Sequence, residues 1–317
     1  MGIQAAPEIK YALIREAFLR DDNLLKISKM CEIAGVSRSG YYSWCTAEPR
    51  RKERDTADRS DFDLVLEAYR YRGYAKGARG IHMRLLHMGI IMNVKKIRRL
   101  MRKYGLKCPI RSANPYRRMA KEMQTSTIAP NLVNREFNEH GPRKILLTDI
   151  TYLFFKNKDE KCYLSTILDG CTHEILAYCV SISLKVDFVL NTVDDLIAKH
   201  GSSLDNKTIV HSDQGCHYTS LAFIQKLKDS EFVQSMSRRG NCWDNAPQES
   251  FFGHMKDHLK SKIALCKDFA AVQAQVDDFI DYYNNDCGQW DLLKLTPSEY
   301  YQYLQTGIYP LPVWSKE

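Results

Sequence analysis

Residues 144–155 read KILLTDITYLFF, and the reading of this run decides the fold. It is rich in β-branched and aromatic residues, so it is expected to be a strand. Asp149 falls inside it, and alternation sets its carboxylate on the same face as Leu147 and Thr151. Two further β-rich runs follow, KCYLSTILDG (161–170) and EILAYCVSIS (174–183), with Asn157, Lys158, Asp159 and Glu160 as the turn between the first two. Three consecutive strands predict an antiparallel meander. Beyond them the pattern predicts a helix over 186–201, a short strand at KTIVHSD (207–213), a helix over 220–232 and a strand at FVQSMS (232–237). A loop, RRGNCWDNAPQ (238–248), leads into a last helix, ESFFGHMKDHLK (249–260). Three strands, then helix, strand, helix, strand, helix, describe an α/β sandwich with a mixed sheet.

Upstream the chain reads as helical. In NLLKISKMCEIAGVSRSGYYSWC (23–45), Ile27, Met30, Cys31 and Ala34 share a helical face, Gly35 supplies a turn, and Ser37 can cap a second helix bearing Tyr41, Tyr42 and Trp44. This fits a helix-turn-helix or a plain helical hairpin equally well. Residues 46–60, charged and holding Pro49, read as a linker. Further on, NVKKIRRLMRKYGL predicts a helix capped by Asn93 and closed by Gly105, with Val94, Ile97, Met101 and Tyr104 on one face. Lys95, Lys96, Arg98, Arg99, Arg102 and Lys103 cover the rest with no acid among them. A solvated face usually mixes both signs, so this one suits a run of phosphates.

Asp213 stands just past the fourth predicted strand, and Glu249 in the first turn of the helix after DNAPQ, with 35 residues between them. Three clustered carboxylates repel one another unless a cation joins them. Hard divalent ions such as Mg²⁺ need only two or three carboxylates and keep several waters. Two such ions about 4 Å apart can clamp both the attacking and leaving oxygens of a phosphoryl transfer. A chain with 38 acids offers many such triples; Asp169, for one, also closes a strand, though it reads as a turn residue.

The bulk properties leave this reading open and close others. The chain has 317 residues, enough for two or three domains, and a net charge of +8, which favours a polyanionic partner. No apolar run is long enough for a membrane span, and the N-terminus lacks the charged-then-apolar order of a signal peptide. MGIQAA falls short of a lipidation signal because Ala6 stands where Ser or Thr is needed. The ten cysteines form no Cys-x-x-Cys pair and are expected to be reduced cytosolic thiols. Cys216 beside His217 lacks a second pair at zinc-ligand spacing and reads as two loop neighbours.

Taken together, TDITY, HSDQGCHYTS, SMSRRGNCWDNAPQESFFGHMK and YYNN with the later LTPSEY resemble insertion-sequence transposases of the IS-three family (the OrfB product), relatives of retroviral integrases in the DDE superfamily. The resemblance extends over nearly the whole chain, including GARGIHMRLLHMGIIMNVKKIRRLMRKYGL. It implies a ribonuclease-H-like core with a five-stranded mixed sheet and flanking helices, two Mg²⁺ or Mn²⁺ ions, and a triad in which Asp149 bridges both ions, Asp213 holds one and Glu249 the other. The implied reaction is in-line attack on a phosphodiester by water or a DNA 3′-hydroxyl, without a covalent protein–DNA intermediate. Ser237 to Asn241, with Arg238 and Arg239, would be a basic loop gripping phosphates. Asn245 and Gln248 could form a capping box. Lys256, seven residues after Glu249 on the same face, is by spacing either solvated or at the DNA; the resemblance favours DNA. His211 is expected to be structural. One position departs: Cys287 stands where the family usually carries arginine, and a thiol cannot supply a cationic fork.

The expected organisation is a helix-turn-helix (1–47), a linker (48–60), a second helical DNA-binding module (61–118), a basic linker (119–143), the catalytic core (144–262) and a helical tail (263–317). Expected partners are double-stranded DNA, both element ends and target, a second copy of the chain on that DNA, and the product of an upstream frame. The resemblance places such a protein in the bacterial cytoplasm, at the nucleoid. The rival reading is a DNA-binding regulator or decayed partner of a full-length transposase, without catalysis of its own.

Overall fold

The computed structural model describes residues 5–109, 129–133, 137, 139–238 and 242–312. The chain divides into two compact units, residues 1–64 and 65–317.

In the first unit, helices α1 (Pro7–Phe18), α2 (Ile27–Ala34) and α3 (Arg38–Thr46) enclose a small core of Ile14, Met30, Cys31 and Tyr41. Gly35 ends α2 in the left-handed region at φ 63°, and Ser37 Oγ accepts the Gly40 N–H at 3.1 Å to start α3. The expected linker at 48–60 is instead the first half of one long helix, α4 (Glu48–Arg70). Pro49 does not break it, because a proline in the first turn forfeits an N–H that has no helical partner anyway. Charged residues without an apolar period still form helix when most are good helix formers.

The second unit opens with α5 (Ala78–His87) and α6 (Val94–Lys103). Asn93 caps α6 as expected, its side chain accepting the Lys95 N–H at 2.8 Å. The buried face of α6 runs through Ile97 and Leu100, with Val94, Met101 and Tyr104 half-buried at its margins. The sheet comprises β1 (Ile145–Phe155), β2 (Glu160–Asp169), β3 (Ile175–Ser181), β4 (Ile209–Ser212) and β5 (Val233–Met236), in the order β3-β2-β1-β4-β5. The first three form the predicted antiparallel meander; β4 and β5 add parallel strands. Helices α7 (Asp187–His200) and α8 (Leu221–Asp229) supply the crossovers that parallel neighbours need. This five-stranded mixed sheet with helices on both faces is the ribonuclease-H-like architecture.

Two apolar layers sandwich the sheet. Leu146 and Val210 pack with α7 and α8, against Phe188, Val193, Leu196 and Phe223. Ile145, Leu147, Leu153 and Phe155 pack on the opposite face with α9 (Ala246–Ala264) and α10 (Phe269–Asn285). Each large side chain so buried contributes roughly 1.5–3 kcal/mol. The expected tail from residue 263 therefore is not an appendage: Val272, Val276, Phe279 and Ile280 of α10 belong to the core itself. Among the described helices of that tail, α11 (Pro297–Thr306) lies outside this layer, its start fixed by a capping box between Thr296 and Glu299.

The segment between α4 and α5 is tied into the same layer. Tyr74 is buried and stacks on Tyr282 with centroids 4.2 Å apart. Arg72 meets three carboxylates, Asp278 at 2.7 Å, Asp281 at 2.8 Å and Asp286 at 2.7 Å.

Candidate active site

Register brings the first two acids together. β1 and β4 run parallel, with Leu146 beside Val210 and Leu147 beside His211. Two residues further along each strand come Asp149 and Asp213, on neighbouring paths that are about 4.8 Å apart where strands pair. Odd-numbered residues of β1 face α9, so Asp149 points towards the helix that bears Glu249. Directly across β2 stands Thr166, whose Oγ1 accepts a hydrogen bond from Gln248 Nε2. That bond fastens the first turn of α9 to the strand beside Asp149, and Glu249 is the next residue. Below it Phe251, Phe252 and Met255 seat the helix on the sheet.

Each carboxylate has local support. Asp149 Oδ1 accepts the Ile150 N–H at 2.7 Å, and Asp213 Oδ1 accepts the Gly215 N–H at 2.9 Å. A Cβ at Gly215 would stand 2.8 Å from Asp213 Oδ1, so the turn after β4 needs glycine to leave the carboxylate where it is. Burial, then the charge of Asp213 and more weakly that of Glu249, push the Asp149 carboxyl up to about 7; the Ile150 N–H and Lys256 oppose them. Burial also raises Asp213, against the Gly215 N–H and His217. The site therefore holds excess negative charge in surroundings that disfavour it.

Among the described residues, no three His, Cys, Asp or Glu side chains form a group already disposed to hold a metal ion. The donors nevertheless fit one kind of ion. Asp149, Asp213 and Glu249 offer carboxylate oxygen alone, the set that a hard divalent cation takes, and Asp149 carries the destabilised charge that such a cation would relieve.

The residues around the trio fall differently from the sequence reading. Lys256 is half-buried and near enough to Asp149 to favour its ionised form. Arg238, expected to grip phosphate, is engaged by Asp244: Nε and Nη2 each lie 3.0 Å from its carboxylate, which also accepts the Arg238 backbone N–H. Asp244 is 1% exposed and takes a further bond from Asn131, so this arginine is held at a buried carboxylate just before α9. Arg239 lies outside the described residues. The capping box expected between Asn245 and Gln248 is not formed, because the Gln248 amide is used across the sheet on Thr166. His211 is wholly buried between Ser235 and Ser237, and burial holds it near 4, hence neutral. His217 binds the Leu184 carbonyl at 2.7 Å through Nε2, and Cys216 Sγ lies 3.6 Å from its Nδ1. On α6, Lys95, Arg98, Arg99, Arg102 and Lys103 are exposed and Lys96 is half-buried.

Sequence reasoning passed over Asp244 and Lys76. Asp244 sits in a single 3-10 turn, Cys242–Asn245, too short for any periodicity to flag it. Lys76 is 6% exposed, its ammonium on the Tyr71 and Tyr74 carbonyls at 2.5 and 3.0 Å, and it interacts with Cys287. No local signal marks a lysine that is buried only because a distant helix covers it.

The ribonuclease-H-like sheet thus carries acids at Asp149, just past the end of β4 and in the first turn of α9. Comparison with known proteins gives the class. The "Integrase core domain" family matches residues 139–242, a second description of the same name matches 231–287, and an "HTH-like domain" matches 56–114. InsK for insertion sequence element IS150 of Escherichia coli (strain K12) is 31% identical over 278 residues, covering 86% of this chain and 93% of that protein. Transposase InsF for insertion sequence IS3A of the same organism is 27% identical over 230 residues, covering 73% and 78%. Among solved structures, the HTLV-2 integrase catalytic core domain in complex with magnesium has 13% identity and a TM-score of 0.39, covering 50% of this chain and 97% of that one. The chain belongs to the IS3 family of insertion-sequence transposases. Among the described residues, no helix is long and apolar enough to cross a membrane.

Proposed function

We propose that this protein catalyses DNA strand cleavage and strand transfer at the ends of an insertion sequence, with Asp149, Asp213 and Glu249 as the ligands of two Mg²⁺ or Mn²⁺ ions. The observation that carries this reading is the placement of the three acids. They come from the middle of β1, the end of β4 and the first turn of α9, and the Asp149 carboxyl responds to both of the others. When bound, the ions would lower the pKa of the attacking water or 3′-hydroxyl and stabilise the leaving oxygen. The chain's own residues do the rest. Gln248 and Thr166 fix where α9 starts, Gly215 leaves Asp213 room, and Lys256 supplies positive charge beside the acids for a DNA phosphate. The exposed cations of α6 lie along the DNA backbone, where each neutralised phosphate releases counterions. Two ends must be joined, so the working form is a multimer on DNA, with the upstream-frame product as a further partner. It acts in the bacterial cytoplasm, at the nucleoid.

The test is a strand-transfer assay on oligonucleotide duplexes carrying the element's ends. Cleaved and joined products are expected with Mg²⁺, none with EDTA, and none from Asp213→Asn. A second reading, a DNA-binding regulator without catalysis, is favoured by Cys287 at the usual arginine position. Tight binding to the ends with no product under any divalent ion would establish it instead.

A further inference from the structure

The face of β1 opposite Asp149 carries Tyr152 and Phe154, 46% and 49% exposed. β1 pairs with β4 only as far as Leu147, so from Asp149 onwards the strand continues in a hairpin with β2 alone. Tyr152 and Phe154 are two residues apart and share a face. Across β2 their partners are Tyr163 and Lys161. Tyr163 is buried and meets Tyr152 edge-on, with ring centroids 5.3 Å apart, which props that ring outward. Lys161 is exposed beside Phe154, and the turn adds Lys156 and Lys158, giving three lysines at the tip against Asp159 and Glu160.

Residues two apart on a strand are separated by about 6.7 Å. Bases stack at intervals of about 3.4 Å, so two aromatic side chains at this separation leave room for one base between them. Tyr152 lies about 10 Å along the strand from Asp149, so a DNA strand that leaves the acids across the edge of β1 beyond its pairing with β4 comes to it after two or three nucleotides. We propose that Tyr152 and Phe154 clasp one unpaired base of the DNA strand that leaves the scissile phosphate, with Lys161 at the neighbouring phosphate. This deepens the transposase reading and rests on it, because Asp149 marks where the scissile phosphate lies. A second copy of the chain suits the patch poorly. An isologous contact here would bring lysine-bearing tips together, and two rings fall far short of the roughly 800 Å² per partner of a stable interface.

The experiment uses the full chain and duplexes of the element's ends with 2-aminopurine placed one to five nucleotides from the cleavage point, in the strand that is not joined. Fluorescence reports stacking of the probe base, and anisotropy reports binding. For the wild-type protein we expect one position, two or three nucleotides out, to change its emission on binding. Tyr152→Ala with Phe154→Ala should abolish that change and weaken binding about five- to hundredfold on ends whose flank is unpaired. Tyr152→Phe and Tyr152→Trp should retain it, which separates stacking from a general loss of fold. The proposal is overturned if the double alanine variant keeps the wild-type signal, or if no position responds although the duplex is bound. It is also overturned if the alanine changes instead abolish self-association. A protein that stacks the base but never cuts or joins would refute the catalytic reading and leave the clasp standing; one that does not bind the ends refutes both.

Discussion

At the scale of single residues, Asp149 sets chemistry against stability. Burial, with the charges of Asp213 and Glu249, holds its carboxyl at about 7, whereas the ordinary value is 3.8. Between those values the folded protein keeps a proton that the unfolded chain has lost. Its contribution to stability therefore falls as pH rises from about 4 to 7, and the full cost is present above 7. The size of the shift caps that cost at roughly 4 kcal/mol, and water reaching the half-buried carboxylate reduces it. Mg²⁺ should accordingly raise the melting temperature more at pH 8 than at pH 5.5. Asp149→Asn should stabilise the ion-free protein at pH 8 while abolishing strand cleavage and the Mg²⁺ response. A variant that melts below the wild type at pH 8 would count against this account. Cys287 is the other telling residue. Burial raises its thiol to about 11, against the Tyr282 hydroxyl and the Lys76 ammonium, which burial itself brings down to about 8.

At the scale of elements, the sequence shows which segments are helices but not what holds their ends. The Gln248 side chain illustrates this: spacing suits it to a local cap, yet the fold uses it between α9 and β2. A second tie joins α5 to α11, where His87 Nε2 lies 2.8 Å from Glu299 and Nδ1 binds the Met83 carbonyl. Burial lowers the His87 pKa, but the Glu299 bond and the Met83 carbonyl outweigh it and the net shift is upward. Glu299 is shifted down: burial opposes ionisation, and His87 and the Thr296 N–H overcome it. The histidine's contribution is complete below its unfolded value of 6.5 and is lost as pH rises through the higher folded value. The glutamate's is complete above 4.5 and is lost as pH falls through its lower folded value. The pair should therefore stabilise most between about 4.5 and 6.5. Thermal melts of His87→Gln against the wild type should differ by about 1–2 kcal/mol at pH 6, the difference shrinking as pH rises; a difference that stays constant as pH rises would exclude the ion pair as its cause.

Across the whole molecule, the second helical module from residue 65 onward shares one compact unit with the core. Residues 65–317 form one compact unit, and Arg72 and Tyr74 fix the segment before α5 to α10. Arg72 neutralises a group of three aspartates that would otherwise repel one another. Arg72→Ala should cost about 2–4 kcal/mol, because it leaves the partly buried Asp286 with less compensation. It should also admit limited proteolysis between residues 70 and 78. Digestion unchanged from the wild type, with a loss below about 0.5 kcal/mol, would mean that Tyr74 stacking alone secures the segment. For DNA, this attachment means that the cations of α6 and the acids of the sheet belong to one unit.

What the residues announced by themselves was whatever depends on short-range pattern. Runs rich in β-branched and aromatic residues identified the five strands, alternation gave the face of Asp149, and the caps at Ser37 and Asn93 follow from side chains that reach only two or three residues along the chain. Asp149 interrupts an apolar run and Asp213 closes one; Glu249 stands in the first turn of a helix, and the family resemblance is what links the three. The continuous helix through 48–60, the commitment of Arg238 to Asp244 and the covering of Lys76 by α10 were settled only in three dimensions. A charged side chain has no periodicity to betray its partner. Whether it meets a carboxylate, a carbonyl or solvent depends on how segments far apart in the chain pack together.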